Sequence, residues 1–524
     1  MSGLSRRGLL AGAGAAAAAA ALGTGTATAR EAAPGAITVR PDDRRYENLL
    51  RGNNFRFVGQ PDEIRVCTST EQVVRAVADA VRSGRRLAVR SGGHGFENLT
   101  AHREVRVLLD LGLMDEVGYD PARRAFSVRP GATLGQVYER LHHGWGVTVP
   151  GGSCPEVGAG GHFVGGGYGA LSRRYGSVVD HLYAVEVVVV DRDGTARAVV
   201  ATREPDDPNH DLWWAHTGGG GGNFGVVTRY WLRSTGATGT DPATLLPPSP
   251  RRMVQHALIW SWAGVTEAKL TALLRDFGTW HERNSAPGSP GTGLWGVLQA
   301  GHRDGGSLLL SVQADADLPG VDRLMDDFLA EVTRCVGLVP FLDLRRTLPW
   351  LHRMTWPGSG EPGDAVTRRY KIKGAYLRRA YTDAQLAAVY RNLIAEGGRG
   401  GSVLLIGYGG QVNAVAPAAT AVAQRDMVLK AVYQTIWESD EEDDAHIEWV
   451  RALYQDVYRA TGGVPAEGSY INYADADLAD PELNTSGVPA HVLYHGENYP
   501  RLRRVKARWD PGNVFRHPLS VQAG

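Results

Sequence analysis

The residues Arg86-Leu87-Ala88-Val89-Arg90-Ser91-Gly92-Gly93-His94 read as a short apolar strand that runs directly into two glycines and a histidine. Glycine has no Cβ, so consecutive glycines let backbone N–H groups come close to a bound anion such as a pyrophosphate. Three more clusters of this kind follow. They are Pro150-Gly151-Gly152-Ser153-Cys154-Pro155, the run Gly158-Ala159-Gly160-Gly161-His162-Phe163-Val164-Gly165-Gly166-Gly167-Tyr168-Gly169, and glycines 218–222 continued by Asn223-Phe224-Gly225-Val226-Val227-Thr228. Glycine is the outlier of the composition, at 67 of 524 residues, and its clustering points to a bound cofactor. A nicotinamide site of the βαβ type does not fit. No clear strand precedes Gly165-Gly166-Gly167, and no helix-opening G-x-G-x-x-G is followed by an acidic residue about 20 positions on.

Around these loops the pattern is α+β. Residues 64–67 and 86–90 read as strands. Between them a helix starts at Thr70, its expected N-cap, and ends at Gly84. Strands are expected over 105–109 and 125–128, an amphipathic helix over 134–142, and a buried valine-rich strand over 184–190. The Gly-, Thr- and Pro-rich residues 235–250 read as a linker. Beyond it lies a region marked by Trp260, Trp262, Trp280, Trp295, Trp350 and Trp356, with strands expected over 307–314 and 403–407 and helices over 322–336 and 383–395. A basic stretch, 501–518, contains an Asp510-Pro511-Gly512-Asn513 turn.

Lysine plus arginine equals aspartate plus glutamate, at 56 each, so there is no electrostatic footprint for nucleic acid. Ser5-Arg6-Arg7-Gly8-Leu9-Leu10 followed by an alanine-rich run predicts a cleaved export signal over residues 1–30 of the twin-arginine type, with no stable membrane insertion after its removal. The three cysteines, Cys67, Cys154 and Cys335, match neither a metal site nor a disulfide framework. The acidic run Glu438-Ser439-Asp440-Glu441-Glu442-Asp443-Asp444 reads as a solvated lead into a helix, and no metal is expected.

Taken together, the strand ending in Arg90-Ser91-Gly92-Gly93-His94, the Gly152-Ser153-Cys154 element, the run 160–169 and residues 218–228 resemble, in order and spacing, FAD-linked oxidases of the berberine bridge enzyme type. Asn472-Tyr473 and Trp509-Asp510-Pro511-Gly512-Asn513-Val514-Phe515 extend the resemblance to nearly the whole chain after about residue 40. Within the family the chain is most similar to actinobacterial oxidases that finish antibiotics and glycosylated natural products. The resemblance implies an α+β fold: a two-part FAD-binding domain of the vanillyl-alcohol-oxidase type plus an α+β substrate domain with an antiparallel sheet. The expected parts are 40–236 for the first flavin-binding segment, 237–450 for the substrate domain, and 451–524 for a return carrying the catalytic tyrosine. It also implies FAD bound covalently through His94 at the flavin 8α position and Cys154 at C6. The remaining cofactor contacts it implies are Arg90, Ser91, Gly92, Gly93 and Gly95; Gly152, Ser153, Gly158, Gly161 and His162; Gly166 and Gly167; Gly222, Gly225 and Val227; and Asn472 and Asn513.

Oxidising an alcohol needs a base for the hydroxyl proton while hydride leaves the same carbon. The resemblance places that base at Tyr473, whose phenol normally titrates near pH ~10 and must be lowered by its surroundings. If Tyr470-Ile471-Asn472-Tyr473 is extended, the two tyrosines point to opposite faces and Asn472 points away from Tyr473. In Tyr370-Lys371-Ile372-Lys373-Gly374-Ala375-Tyr376, alternation puts Tyr370 and Tyr376 on one face and both lysines on the other. Tyr376 and Tyr168 are the candidate helpers. The expected reaction is oxidation of a CH–OH group of a glycosylated or hydroxylated small molecule, with O2 taking the electrons to give H2O2. Oligosaccharide C1 oxidation, oxidative ring closure and non-catalytic binding are the alternatives.

Overall fold

The computed structural model describes residues 35–355 and 368–524; the expected export signal and Trp356 lie outside them. Among the described residues no helix is long and apolar enough to cross a membrane. Three sheets organise Ala36–Gly524. The first holds β1 (Ile37–Val39), β2 (Glu63–Val66), β3 (Leu87–Arg90) and β4 (Val107–Asp110) in the order β1-β2-β4-β3, with β2, β4 and β3 mutually parallel. The second holds β5 (Val117–Asp120), β6 (Ala125–Val128), β7 (Leu182–Val190), β8 (Ala196–Thr202) and β9 (Val226–Leu232) in the order β5-β6-β9-β7-β8. All its pairings are antiparallel. The helix Thr70–Arg82 joins the two sheets. Its Val73 and Val77 pack with Val107 and Leu109 of β4 and with Val188, Val190 and Val226 of the second sheet. Thr70 is not its cap. Ser69 accepts the Gln72 N–H, and the Thr70 hydroxyl instead donates to Glu186, the lone acid of the valine strand β7.

The third sheet has seven antiparallel strands: β10 (Arg252–Trp260), β11 (Trp295–Gly301), β12 (Leu308–Asp315), β13 (Leu342–Pro349), β14 (Arg369–Leu377), β15 (Gly401–Gly407) and β16 (Leu429–Trp437). Their order, β13-β10-β12-β11-β15-β16-β14, leaves β13 and β14 as edges. Period-two alternation divides each strand between two faces. Leu298, Leu310, Val403, Leu405, Ala431 and Tyr433 face a core formed with the helices Glu267–Arg283, Val321–Thr333, Asp383–Ile394 and Asp443–Val457. The opposite face carries Trp295, Val297, Leu404, Ile406, Val432, Tyr370, Ile372 and Tyr376, clustered with Tyr168 of the glycine-rich run. Residues 235–250 are not a free linker. Leu245 and Leu246 are buried, and the Leu245 and Pro247 carbonyls accept the N–H groups of Ser234 and Thr148, so backbone pairing overrides a turn-rich composition.

Candidate active site

Two glycine loops meet backbone to backbone. A Cβ at Gly92 would lie 2.4 Å from Gly158 N and 3.1 Å from Glu156 O, and one at Gly158 would lie 2.1 Å from Ser91 Oγ. Only glycine permits that approach, and it brings the loops of His94 and Cys154 together. Arg90 ends β3 with its guanidinium on Asp110 (2.7 and 2.9 Å) and on the Arg51 carbonyl (3.2 Å), so it braces the loop from inside. Ser91 donates to Pro130 O at 2.6 Å. His94 is half-buried; burial lowers its imidazole pKa, with Glu156 opposing and Arg368 adding. Cys154 is half-buried, and no disulfide engages it. The capped start of the helix Leu134–Trp145 holds its loop: Leu134 N–H donates to Val157 O, and Gly135 N–H to Pro155 O. His162 accepts the Gly152 N–H at 3.1 Å on Nε2. Burial depresses its pKa to about 3, which keeps it a neutral acceptor that shapes the Cys154 loop.

The other predicted contacts fall on two further walls. Gly222 and Gly225 have positive φ, and Val227 is buried in β9. The 218–225 loop packs on the C-terminal return, where the buried Lys506 ammonium donates to Asn223 O (2.7 Å) and to Asp510 (2.6 Å). Asp510 also accepts the N–H groups of Val514 and Phe515, which explains the Trp509–Phe515 motif. Asn513 adopts φ +49, and among the described residues its buried Oδ1 finds no partner. Gly166 and Gly167 are buried, and the Gly167 N–H donates to the Tyr470 hydroxyl. Gly92, Gly95 and Gly161 are exposed, and a Cβ at Gly161 would meet nothing within 4 Å. Open glycine backbone, an orphaned amide oxygen, a histidine and a cysteine on converging loops fit a dinucleotide cofactor.

The tyrosines complete the site. Residues 470–473 are not extended: the Tyr473 N–H donates to Tyr470 O at 2.8 Å, closing a turn. Both rings therefore enter one cluster, centroids 5.0 Å apart, where alternation had placed them on opposite faces. Asn472 donates to His162 O and to the Tyr470 hydroxyl, both at 2.9 Å. Tyr473 is half-buried, its ring stacked on Phe96 of the His94 loop (5.4 Å, 21°). Tyr376 and Tyr168 are buried. Burial raises the Tyr376 phenol well above its ordinary value, and Tyr168 donates to Gly407 O and accepts from the Trp295 indole.

One residue escaped the sequence reading. The Lys430 ammonium lies 3.4 Å from the Tyr470 ring centroid, 4.1 Å from Tyr168, 4.9 Å from Tyr408, 5.3 Å from Tyr376 and 5.8 Å from Tyr473. Among the described residues it has no hydrogen-bond partner, and burial pushes its pKa well below the ordinary lysine value; the ring faces support its charge. Its signal was a single lysine in the apolar strand Leu429-Lys430-Ala431-Val432-Tyr433.

The chain resembles known proteins in sequence and in fold. Residues 61–199 match the FAD binding domain family, and residues 469–522 match the berberine and berberine-like family. Aclacinomycin-N/aclacinomycin-A oxidase of Streptomyces galilaeus is 50% identical over 94% of this chain and 90% of its own length. The chain belongs to the berberine bridge enzyme-like FAD-linked oxidases. As a member of that family it is an FAD-dependent oxidoreductase. Hexose oxidase of Chondrus crispus is 31% identical over 93% of this chain and 96% of its own. The structure of a glycopeptide hexose oxidase complexed with teicoplanin matches with a TM-score of 0.89 and 51% identity, covering 93% of this berberine bridge enzyme-like chain and 99% of the other.

Proposed function

We propose that this protein is an exported oxidase that converts a CH–OH group of a glycosylated or hydroxylated natural product to a carbonyl, with O2 as electron acceptor and H2O2 as product. FAD, when bound, supplies the two-electron acceptor. His94 and Cys154 are its two covalent anchors, since their loops are the pair that glycine contact brings together. Tyr473 takes the substrate hydroxyl proton. The observation that carries this role is its position: it is the half-buried tyrosine of the cluster, stacked on the His94 loop and within reach of the Lys430 charge. Tyr376 and Tyr168, both buried, hold the cage. Trp295, Val297, Leu404 and Ile436 present an apolar platform beside it for a ring-bearing substrate. The relatives favour this substrate class, one being named for aclacinomycin oxidation and two for hexose oxidation.

The test is H2O2 release from a panel containing D-glucose, a cello-oligosaccharide, an aclacinomycin and a teicoplanin-type glycopeptide. Tyr473→Phe should lower kcat by at least about 100-fold while flavin is retained. Full activity in that variant overturns the base assignment. Acid-precipitated wild-type protein should keep yellow flavin in the pellet, and a colourless pellet overturns the covalent anchoring.

A further inference from the structure

The chain around Tyr473 wraps the free edge of the seven-stranded sheet. Edge strand β14 gives the Tyr376 N–H to Gly468 O at 2.9 Å, and residues 469–477 then pass round it. On the cleft face Tyr473 lies against Gly374, where an added Cβ would sit 3.1 Å from the Tyr473 Cβ and Cδ2. On the far face Asp475 and Asp477 meet the two lysines that alternation directs there. The Lys371 ammonium donates to Asp475 Oδ1 at 2.7 Å, and the Lys373 ammonium to Asp475 Oδ2 at 2.6 Å and Asp477 Oδ2 at 2.9 Å. Arg451 completes the group on Asp477 at 2.8 and 3.0 Å.

Lys371 makes one contact that Lys373 lacks. Its ammonium also donates to Glu97 Oε2 at 2.8 Å, and Glu97 lies three residues after His94. The same carboxylate oxygen accepts the Ala476 N–H at 3.1 Å. One buried ammonium, its side chain 4% exposed, is thus shared between the loop of the flavin anchor and the loop of the base. Burial opposes its charge, but Asp475, Glu97 and Asp477 outweigh burial and hold it above the ordinary lysine value. Three cations (Lys371, Lys373, Arg451) hydrogen-bond three carboxylates (Glu97, Asp475, Asp477), and a fourth cation, Arg56, also acts on Glu97 and Asp477.

We propose that Lys371 is a positioning residue that fixes Tyr473 against the His94 loop and keeps uncompensated negative charge away from the phenol. This rests on Tyr473 being the base. Removing the ammonium alone makes the charge around Tyr473 more negative by one unit, which disfavours the phenolate and raises its pKa. Among the described residues, the charged or titratable groups around Tyr473 include Lys430 of β16, Tyr376 of β14, Tyr470 of its own turn, and Tyr168 and Tyr408 of the cage. None of them is altered by the change.

The experiment compares flavin-loaded wild type, Lys371→Met, the charge-balanced Glu97→Gln/Lys371→Met double variant, and Tyr473→Phe. Each is titrated with pH by the absorbance of its bound flavin and assayed on the fastest substrate of the panel above. Lys371→Met should raise the titration midpoint by about one pH unit and lower kcat about tenfold, with KM changed less than about threefold. The double variant should return the midpoint close to wild type, an outcome that a purely packing role would not give. An unmoved midpoint in Lys371→Met, or a double variant no better than the single, overturns the proposal. The Tyr473→Phe titration separates the two readings: if it keeps the wild-type transition and rate, the base assignment falls, whatever Lys371 does.

Discussion

Lys430 sets the electrostatics of the candidate site. An ammonium over several ring faces gains about 0.5–2 kcal/mol from cation–π attraction, and the same charge stabilises a phenolate forming in the cage. Lys430→Met keeps roughly the volume and removes the charge. The acid limb of kcat/KM for that variant should shift to higher pH, and kcat at neutral pH should fall about tenfold. A pH–rate profile superimposable on wild type would remove Lys430 from the mechanism. The sequence shows why this residue was missed while its neighbours were legible. Tyr370 and Tyr376 follow from strand alternation, and β14 places them on one face with Lys371 and Lys373 on the other. Lys430 becomes conspicuous only when β16 is paired with β14, which sets it directly opposite Tyr376. That is a non-local pairing which no spacing within either strand announces.

At the level of elements, two of the glycine loops meet each other, a contact that their composition does not announce. Gly92 and Gly158 are 66 positions apart in sequence yet leave no room for a methyl group between them. Gly92→Ala must therefore push the His94 loop away from the Cys154 loop by more than a few tenths of an ångström. The covalent flavin recovered in an acid-precipitated pellet should drop several-fold, while the melting temperature, set by the sheets, should move far less. An alanine variant with full covalent flavin would show that the two anchors do not depend on this contact. Residues 470–473 form a turn where strand alternation predicts an extended segment. Its residues give no glycine or proline signal, and only the hydrogen bond from Tyr473 N–H to Tyr470 O brings both rings to one side. Strand and helix positions came through from periodicity because burial enforces them. Turn geometry and caps did not, since Ser69 and Thr70 are both favoured cap types and stand side by side.

Across the whole molecule, the order of the motifs along the chain was enough to anticipate an α+β flavoprotein, whereas the charges sealed inside it were not legible. They arise where distant segments close on one another, as Lys506 does on Asn223 and Asp510. Buried histidines are the clearest case with a consequence for stability. His216 and His495 are 3% and 2% exposed, and burial depresses them to about 4 and about 3, with a hydrogen bond to Leu212 O partly opposing at His216 and His491 adding at His495. Unfolded, each takes up a proton near pH 6.5. As pH falls below that value the unfolded chain gains protons that the folded chain refuses, so the stability these groups contribute is complete above about pH 6.5 and drains away towards pH 4 and 3. Each loses about 1.4 kcal/mol per pH unit, so the pair should cost about 4 kcal/mol between pH 6.5 and pH 5. Thermal melts across that range should show a falling midpoint, and His216→Gln/His495→Gln should flatten the slope even if it lowers the plateau. A wild-type midpoint that is constant from pH 7 to pH 5 would mean that these imidazoles exchange protons with solvent in the folded state and are not sealed by it.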